Sequence, residues 1–311
     1  MTDGELMSGS APSQTSLARR RWLGIGAAAS LTIAGCTVAV DEDYVASDAP
    51  GVRDEGANPG RSRIALVLGS GGPRGFVHAG VLAALDELGV KPDRVVGSSI
   101  GALVGALYAN GMRGAEIRER ALAIGFTDLA VLAFGASERF SGAPIAAWVN
   151  KLVAERRIEQ FPIPFAAVAY SRSRAALVAF ERGNVGVAVQ ASCAVSGSFT
   201  PVRIRGEQFV DPDSAAPLPV RIARTLGAQR VLSIDPSAHE DKAPAGSGRF
   251  AESDRRKREL VQADATFADV NLHPFFGYWV SFTDEFRQRA IQAGYDETMA
   301  QAERIKALWR S

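Results

Sequence analysis

Hydrophobic and polar positions change their period several times along the chain, and each period predicts a different element. The continuous apolar run "RIALVLGS" (63–70) is typical of a strand buried on both faces. In "GFVHAGVLAALDELGV" (75–90) the apolar residues recur at helical spacing. The run "DRVVGSS" (93–99) predicts the next strand, and residues 100–110 predict a helix rich in small side chains. This strand–helix–strand–helix order predicts a parallel sheet with right-handed crossovers.

The pattern continues to the end of the chain. "PFAAVAY" and "AALVAFERG" predict two strands joined by a polar turn, and "VGVAVQASCAV" predicts a helix. "VRIRGEQFVD" predicts a hairpin that turns at Arg205-Gly206, and "QRVLSIDP" (229–236) predicts another core strand. Residues 236–256 are polar and rich in Gly and Pro, which indicates a mobile loop. Residues 283–309 predict an amphipathic helix. The fold class is therefore α/β.

The first 36 residues have the features of an export signal. A basic stretch, Arg19-Arg20-Arg21, precedes the apolar "WLGIGAAASLTIAG", which is too short to span a bilayer comfortably. The segment closes with Ile33-Ala34-Gly35-Cys36, which resembles a bacterial lipobox. We therefore expect residues 1–36 to be a lipoprotein-type signal peptide that ends at a lipidated Cys36. The alternative is an N-terminal anchor helix with an incidental cysteine, and "ARRRWLG" leaves both Sec and twin-arginine export open.

The remaining residues divide into a linker and a domain. Residues 37–60 carry Asp, Glu, Gly and Pro with little apolar periodicity, so we expect a flexible tether. Residues 61–311 form one block of about 250 residues, a length that a single α/β domain can reach. Thirty-five basic and 34 acidic residues give a net charge of +1, which argues against a protein that binds nucleic acid electrostatically. We see no cluster of metal-ligating residues and expect no metal and no cofactor.

The glycine-rich turn "LGSGGPRGFVHAG" follows the first strand of the domain. Its backbone N–H groups point into open space at a helix N-terminus, where a negative oxygen is stabilised. One interpretation is a dinucleotide site, but the glycine spacing only approximates that fingerprint, and the second strand does not end in the acidic residue that binds ribose. The other interpretation is an oxyanion hole.

The second strand runs into Gly97-Ser98-Ser99-Ile100-Gly101, a G-x-S-x-G sequence between a strand and a helix. This arrangement is typical of a nucleophile elbow with Ser99 at the bend, although Ser99 could also simply cap the helix. Because the carboxyl ends of adjacent parallel strands lie together, we expect the turns at 69–75 and 97–101 to lie side by side. That juxtaposition favours the oxyanion hole.

A serine needs a base, and the chain has three histidines. His239 lies in the polar loop, and His78 comes too early in the chain for the elbow's usual partner. His273 stays open as a base. A carboxylate is the other choice, and "QFVDPDSAAPLPV" places Asp211 directly after a strand.

The order of these motifs resembles the patatin-like phospholipase family of bacterial lipolytic enzymes. The family's glycine-rich motif is matched by "GSGGPRGFVHAGVL" (69–82), and its serine elbow by "GSSIG" (97–101). Its "xASCAxPGxFxPV" is matched by "QASCAVSGSFTPV" (190–202), and its aspartate segment by "DPDSAAPLPV" (211–220). The resemblance covers residues 63–295 at the level of motif order. It implies a single three-layer domain with a mainly parallel central sheet.

The resemblance also implies a Ser–Asp dyad without a catalytic histidine. Ser99 is then the nucleophile and Asp211 the base, while amides near Gly71 and Gly72, with Arg74, stabilise the oxyanion. The implied activity is hydrolysis of acyl esters of phospholipids or lysophospholipids. The chain would act as an exported enzyme held through Cys36 on the periplasmic side of the cell envelope, with the outer membrane favoured.

One departure from the family keeps a second function open. Two glycines that follow the family's aspartate are replaced by Pro212 and Asp213. Proline fixes φ and removes an N–H, and Asp213 adds a charge that raises the pKa of a neighbouring carboxyl. The alternative is therefore a catalytically impaired member that binds lipid or a membrane-associated partner. Among the weaker candidates, we expect Cys193 to be a core residue and Asp235 to form a turn, while 272–282 lines an acyl pocket, touches membrane or packs in the core.

Overall fold

The computed structural model describes residues 43–52, 61–133, 138–238, 244–246 and 248–310. The strands are β1 (Asp43–Tyr44), β2 (Ser62–Leu68), β3 (Arg94–Ser98), β4 (Val131–Leu132), β5 (Phe140–Ser141), β6 (Phe165–Ser171), β7 (Ala176–Phe180), β8 (Val202–Ile204), β9 (Glu207–Val210), β10 (Ala228–Ile234) and β11 (Val270–Leu272). The helices are α1 (Val77–Glu87), α2 (Ile100–Ala109), α3 (Gly114–Ala123), α4 (Ala143–Leu152), α5 (Val185–Ser192), α6 (Val220–Thr225), α7 (Gly248–Ala265), α8 (Asp284–Ala300) and α9 (Ala302–Arg310).

Nine of the strands in these described ranges form one sheet in the order β1-β8-β9-β6-β3-β2-β10-β11, with β7 paired to β6. The neighbours from β6 through β3, β2 and β10 to β11 are all parallel. The two predicted hairpin pairings, β6 with β7 and β8 with β9, are antiparallel. The prediction of a mainly parallel sheet is confirmed, and the carboxyl ends of β2 and β3 lie side by side, with Leu68 opposite Gly97.

Helices cover both faces of the sheet, as the unbroken apolar run of β2 requires. Ile64 and Leu66 belong to a core on one face, together with residues of α1, α2, α5 and α8. Ala65 and Val67 belong to a second core on the other face, with α6 and Val261 of α7. The predicted three-layer α/β fold is therefore confirmed.

Part of the predicted tether packs on the domain. Tyr44 pairs with Ile204 of β8, and its hydroxyl donates a hydrogen bond to Gln190 Oε1 at 3.1 Å. The Gly51 N–H donates to the carbonyl of Arg182, and Ala49 is buried. The prediction of a tether was therefore wrong for residues 43–52. Backbone hydrogen bonds attach this segment to the domain, and they do not require a periodic pattern of apolar side chains. The predicted signal peptide, with Cys36, lies outside the described residues, as do the other tether residues.

Two predictions in the last third of the chain need correction. The predicted loop over 236–256 gives way to α7 from Gly248 onward, while 239–243 lie outside the described residues. The charged residues of α7 are strong helix formers, and the exposed helix needs only a narrow apolar contact such as Val261. The predicted single helix over 283–309 is two helices, α8 and α9, separated at Gln301. No helix in the described ranges is long and apolar enough to cross a membrane.

Candidate active site

Ser99 lies at a sharp bend between β3 and α2. Its backbone has φ 55° and ψ −126°, a left-handed conformation that is costly for a residue with a Cβ. The two glycines of the motif permit the bend, because a Cβ on Gly97 would lie 2.4 Å from the carbonyl oxygen of Gly101. A Cβ on Gly101 would lie 2.1 Å from the carbonyl oxygen of Leu68 at the end of β2. The sharp bend predicted for the G-x-S-x-G sequence is therefore present, and the close packing around Gly97 and Gly101 keeps Ser99 in this strained conformation at the end of the sheet.

A serine that the sequence did not single out holds the elbow in place. The Ser99 N–H donates a hydrogen bond to Ser192 Oγ at 2.8 Å, and Ser192 Oγ donates to the carbonyl of Val168 in β6 at 2.5 Å. Ser192 is fully buried at the end of α5. Its position in "QASCAV", the segment that carried part of the family resemblance, was the available signal.

Asp211 meets Ser99 from the other side of the site. The residue follows β9, its N–H donates to the carbonyl of Ala194, and its carboxylate Oδ2 accepts a hydrogen bond from Ser99 Oγ at 2.5 Å. Asp211 has the extended backbone that a following proline favours, with φ −55° and ψ 130°. Pro212 begins a 3-10 helix, where its missing N–H removes no helical hydrogen bond. The proline therefore does not mis-set the aspartate.

Burial controls the charge of Asp211. The residue is 5 % exposed, and desolvation is the largest of the causes that together raise the pKa of its carboxyl from 3.8 to about 7. The charge of Asp213 adds to the rise, while hydrogen bonds from Ser99 Oγ and the Asp213 N–H, together with the charge of Lys257, oppose it. A carboxylate with this pKa has the basicity of a typical histidine, and it is joined directly to the serine hydroxyl.

The glycine-rich turn carries free backbone donors after β2, the strand next to β3. The N–H groups of Gly69 and Ser70 are used by the carbonyls of Ile234 and Pro217. Those of Gly71 and Gly72 have no hydrogen-bond partner within the described part of the chain. Gly72 has φ +51° with open space where a Cβ would be, and it lines the same cavity as Ser99. Two free backbone donors therefore precede the first helix, and that of Gly72 belongs to a residue that lines the cavity at Ser99.

Arg74 faces away from this cavity. Its N–H donates to the carbonyl of Gly71, and its guanidinium donates to the carbonyls of Pro236, Gly277 and Trp279 at 2.8–3.2 Å. The side chain is buried against the ring of Phe276, and this burial lowers the pKa of Arg74 to about 10, so it stays charged at neutral pH. Arg74 supports the segments that follow β10 and β11, so its amide and its side chain are engaged elsewhere than at Ser99.

The two histidines in the described ranges, His78 and His273, lie outside the pair formed by Ser99 and Asp211. His78 is fully buried, its Nε2 donates to the carbonyl of Gly69 at 2.9 Å, and burial lowers its pKa to about 4. His273 Nδ1 lies 2.9 Å from the carboxylate of Asp235, and His273 is not among the described residues that line the cavity at Ser99. His239 lies outside the described residues. Asp235 also accepts a hydrogen bond from the Ser237 N–H, in the turn that the sequence predicted.

An apolar cavity of about 310 Å³ opens at Ser99. Ile100, Leu103 and Leu107 of α2 line it, so it extends beside Ser99 for eight residues of helix, or about 12 Å. Its other walls come mainly from the glycine-rich turn, α3, α4 and the segment after α5, and they include Gly72, Phe76, Ile117, Ala121, Ile124, Leu129, Ile145, Trp148, Val195, Phe199 and Phe282. The cavity has the volume and the apolar lining to hold an apolar chain next to the serine.

The sequence patterns did not predict most of the side chains that line this cavity. Cys193, expected in the core, is buried at its wall, and burial followed by the charge of Asp211 raises the pKa of its thiol, which makes it a poor nucleophile. In the segment 272–282, Phe282 lines the cavity while Phe276 packs in the core. In the described ranges no group of three or more His, Cys, Asp or Glu side chains is placed to hold a metal ion.

Comparison with known proteins places this site in a family. The patatin-like phospholipase family model matches residues 66–224, which make up half of the chain. Patatin-like phospholipase domain-containing protein 6 of Mus musculus is 32% identical over 186 residues, which are 57% of this chain and 14% of that protein. An uncharacterized NTE family protein of Mycobacterium tuberculosis is 33% identical over 197 residues, which are 61% of this chain and 52% of that protein.

The region of similarity spans about half of the mycobacterial protein and 14% of the mouse protein, so this chain corresponds to only part of each relative. The crystal structure of VipD from Legionella pneumophila has a similar fold, with a TM-score of 0.54 at 15% identity over 77% of this chain and 66% of that one. The family match includes the glycine-rich turn, the elbow and Asp211. The chain belongs to the patatin-like phospholipase family.

Proposed function

We propose that this protein is a serine hydrolase that cleaves acyl esters of phospholipids or lysophospholipids. The observation that carries the proposal is the hydrogen bond of 2.5 Å between Ser99 Oγ and Asp211 Oδ2, at the mouth of an apolar cavity. Membership of the patatin-like phospholipase family supports the same chemistry.

The first chemical step forms an acyl-enzyme. Ser99 Oγ attacks the ester carbonyl carbon and its proton passes to Asp211 Oδ2, which already accepts the hydrogen bond. The negative charge that develops on the carbonyl oxygen faces the free N–H groups of Gly71 and Gly72, which act without reorganisation. The tetrahedral intermediate then collapses. Its bond to the alcohol oxygen breaks, and that oxygen takes the proton from Asp211.

The second step releases the fatty acid. Asp211, ionised again, accepts a proton from a water molecule that attacks the acyl carbonyl carbon. The second tetrahedral intermediate breaks its bond to Ser99 Oγ, which recovers the proton from Asp211. Both steps need a single group that takes up and returns a proton near neutral pH, and a carboxyl with a pKa of about 7 meets that need.

The activity should fall steeply in acid. Asp211 accepts a proton only when it is ionised, and burial raises its pKa to about 7. We therefore expect kcat/KM for a soluble ester to fall about tenfold per pH unit below pH 7, because one protonation blocks the base. A pH–rate profile of the wild-type enzyme measures this limb. A rate that stays constant down to pH 5 would contradict the assignment of Asp211 as the base.

Hydrolysis of a substrate panel tests the proposed function. Purified protein is incubated with p-nitrophenyl esters and with vesicles of phosphatidylcholine or lysophosphatidylcholine, and the released fatty acid is measured. Ser99→Ala is the matched control, since it removes only the hydroxyl. We expect the wild type to release fatty acid and the variant to match the blank. Equal rates for both proteins, or no hydrolysis of any ester, would contradict the proposal.

The alternative of a catalytically impaired member depended on the sequence Asp211-Pro212-Asp213. The geometry around these residues supports the hydrolase instead, because Asp211 reaches Ser99 Oγ and Pro212 occupies a position that suits proline. The charge of Asp213 is balanced by Lys257, whose Nζ lies 2.6 Å from Asp213 Oδ1. The hydrolase is therefore the function that we propose.

We also propose that the enzyme is a lipoprotein anchored through Cys36 on the periplasmic side of the envelope. The lipobox-like Ile33-Ala34-Gly35-Cys36 and the basic, apolar residues before it support this proposal. Mass spectrometry of intact protein extracted from membranes should find a diacyl or triacyl chain that begins at Cys36. A soluble product that retains residues 1–35 would contradict the anchor, and Cys36→Ser is the control that should stay unmodified.

A further inference from the structure

A half-exposed carboxylate next to the dyad, that of Asp213, joins three separate parts of the fold. Asp213 Oδ1 accepts a hydrogen bond from Ser70 Oγ in the glycine-rich turn, and Lys257 Nζ of α7 lies 2.6 Å from the same oxygen. The Asp213 N–H donates to Asp211 Oδ1 at 2.9 Å. The family resemblance leads us to expect glycine at position 213. This chain has an aspartate there, whose carboxylate contacts both Ser70 and Lys257.

The contact to Ser70 bears on the proposed oxyanion hole. Ser70 is 2 % exposed and directly precedes Gly71 and Gly72. Its N–H donates to the carbonyl of Pro217 at 2.7 Å, so both its backbone and its hydroxyl are tied to the segment that follows Asp211. A shift of this turn would move the two free amides relative to Ser99.

The contact to Lys257 bears on the charge at the dyad. Asp213 alone would hold a negative charge two residues from Asp211 and oppose its ionisation. Burial opposes the charge of Asp213 as well, but the ammonium group of Lys257 and the hydrogen bond from Ser70 outweigh it and hold the pKa of Asp213 below its ordinary value. The charge of Lys257 lowers the pKa of Asp211 and thereby opposes part of the rise that the charge of Asp213 causes.

We infer that Asp213 is a positioning residue of this enzyme. Its contact with Ser70 fixes the glycine-rich turn against the loop that carries Asp211, and its contact with Lys257 pairs the negative charge that it brings next to Asp211. We call these two contacts of Asp213 the clasp. The inference rests on the proposed function for its catalytic meaning. The clasp of Asp213, Ser70 and Lys257 replaces the close backbone approach that glycine would provide at this position.

Opposite shifts in the titration of Asp211 test the clasp. The groups that act on this carboxyl are Asp213 from its own loop, Lys257 from α7 and the Ser99 hydroxyl from the elbow, while the raised pKa of Cys193 keeps its thiol neutral. Infrared difference spectra of the carboxyl band, with Asp211→Asn as the blank, follow the titration without substrate. We expect Asp213→Asn to lower the midpoint and Lys257→Met to raise it, each by about one pH unit.

Further variants separate the clasp from a simple loss of packing. Lys257→Arg keeps the positive charge and should restore the wild-type midpoint, and the double variant Asp213→Asn with Lys257→Met should lie between the single variants. Ser70→Ala should lower kcat about tenfold with KM within about twofold, because it loosens the turn without touching substrate. Shifts in the same direction for both single variants, or no shift, would overturn the clasp.

The titration of Asp211 tests the clasp, and the turnover assay tests the proposed function, so the two proposals can be contradicted separately. If the midpoints shift as expected but no variant, including the wild type, hydrolyses an ester, the clasp stands and the proposed function is wrong. If the wild type is active and Asp213→Asn changes neither the midpoint nor kcat, the proposed function stands and the clasp is wrong. Thermal unfolding of each variant confirms that the folded protein is being compared.

Discussion

Replacing Asp211 by asparagine should reduce kcat/KM for ester hydrolysis by about 10²–10⁴-fold, the usual contribution of a general base. Asparagine has nearly the same shape, and its side-chain oxygen can still accept the hydrogen bond from the Asp213 N–H. It cannot take the proton of Ser99 Oγ, from which Asp211 now accepts a hydrogen bond at 2.5 Å. His273→Ala is the control, since its ring is engaged with Asp235, and this variant should keep its activity near the wild-type value.

The same substitution should stabilise the fold above neutral pH. In the folded protein the pKa of Asp211 is raised from 3.8 to about 7, mainly by burial, so the native state binds a proton that the unfolded chain has lost. The resulting contribution to stability is present below about pH 4 and is lost as the pH rises through 7. At pH 8 we expect Asp211→Asn to be more stable than the wild type, by an amount on the order of a few kcal/mol.

Denaturant unfolding at pH 5 and pH 8 measures this difference. The gain in the free energy of unfolding should be larger at pH 8, where the wild type holds a buried charge. A variant that is both inactive and less stable at pH 8 would show that it disrupts the site, and its loss of activity would no longer support a role as base.

Filling the apolar cavity should change which acyl chains the enzyme accepts. Ala121 of α3 lines the cavity, and Ala121→Trp places a large ring in it. We expect kcat/KM for a long-chain p-nitrophenyl ester to fall about 10²-fold relative to the acetate, because each methylene excluded from an apolar pocket costs ~1–3 kcal/mol. Rates across a series of chain lengths give this ratio.

Glu119→Trp is the matched control for the cavity. Glu119 lies on the same helix, is exposed and does not appear among the described residues that line the cavity. Its variant should keep the wild-type preference for chain length. If Ala121→Trp lowers the rates for short and long esters equally, the cavity does not hold the acyl chain.

The sequence predicted the parallel core of the fold because strongly apolar, locally regular segments determine it. Runs such as 63–70 and 93–99 are buried strands whose pairing follows from the crossover rule, and the structure pairs β2 with β3 in parallel. The polar residues of α7 carry no such signal, since an exposed helix needs little apolar periodicity. The pattern of hydrophobic residues also could not predict the packing of residues 43–52, because backbone hydrogen bonds attach this segment to the domain.

Sequence analysis could locate those parts of the candidate site whose backbone conformation is determined by a short local motif. The bend at Ser99 and the free amides of Gly71 and Gly72 follow from local glycine spacing. The place of Asp211 after a strand made it one candidate base beside His273, and the family resemblance favoured it. Ser192 and Lys257 were missed because they act through contacts between elements far apart in sequence. Arg74 lies within a motif, yet its long side chain reaches the loop after β10 instead of the oxyanion site.

Reaction with a fluorophosphonate tests the central claim, that Asp211 activates Ser99 as a nucleophile. The probe forms a stable phosphonyl ester with an activated serine, and tryptic mapping by mass spectrometry locates it. The account predicts a single adduct on Ser99 in the wild type, none in Ser99→Ala, and labelling slowed by about 10²-fold or more in Asp211→Asn. An unlabelled wild type, or equally fast labelling of Ser99 in Asp211→Asn, would contradict it.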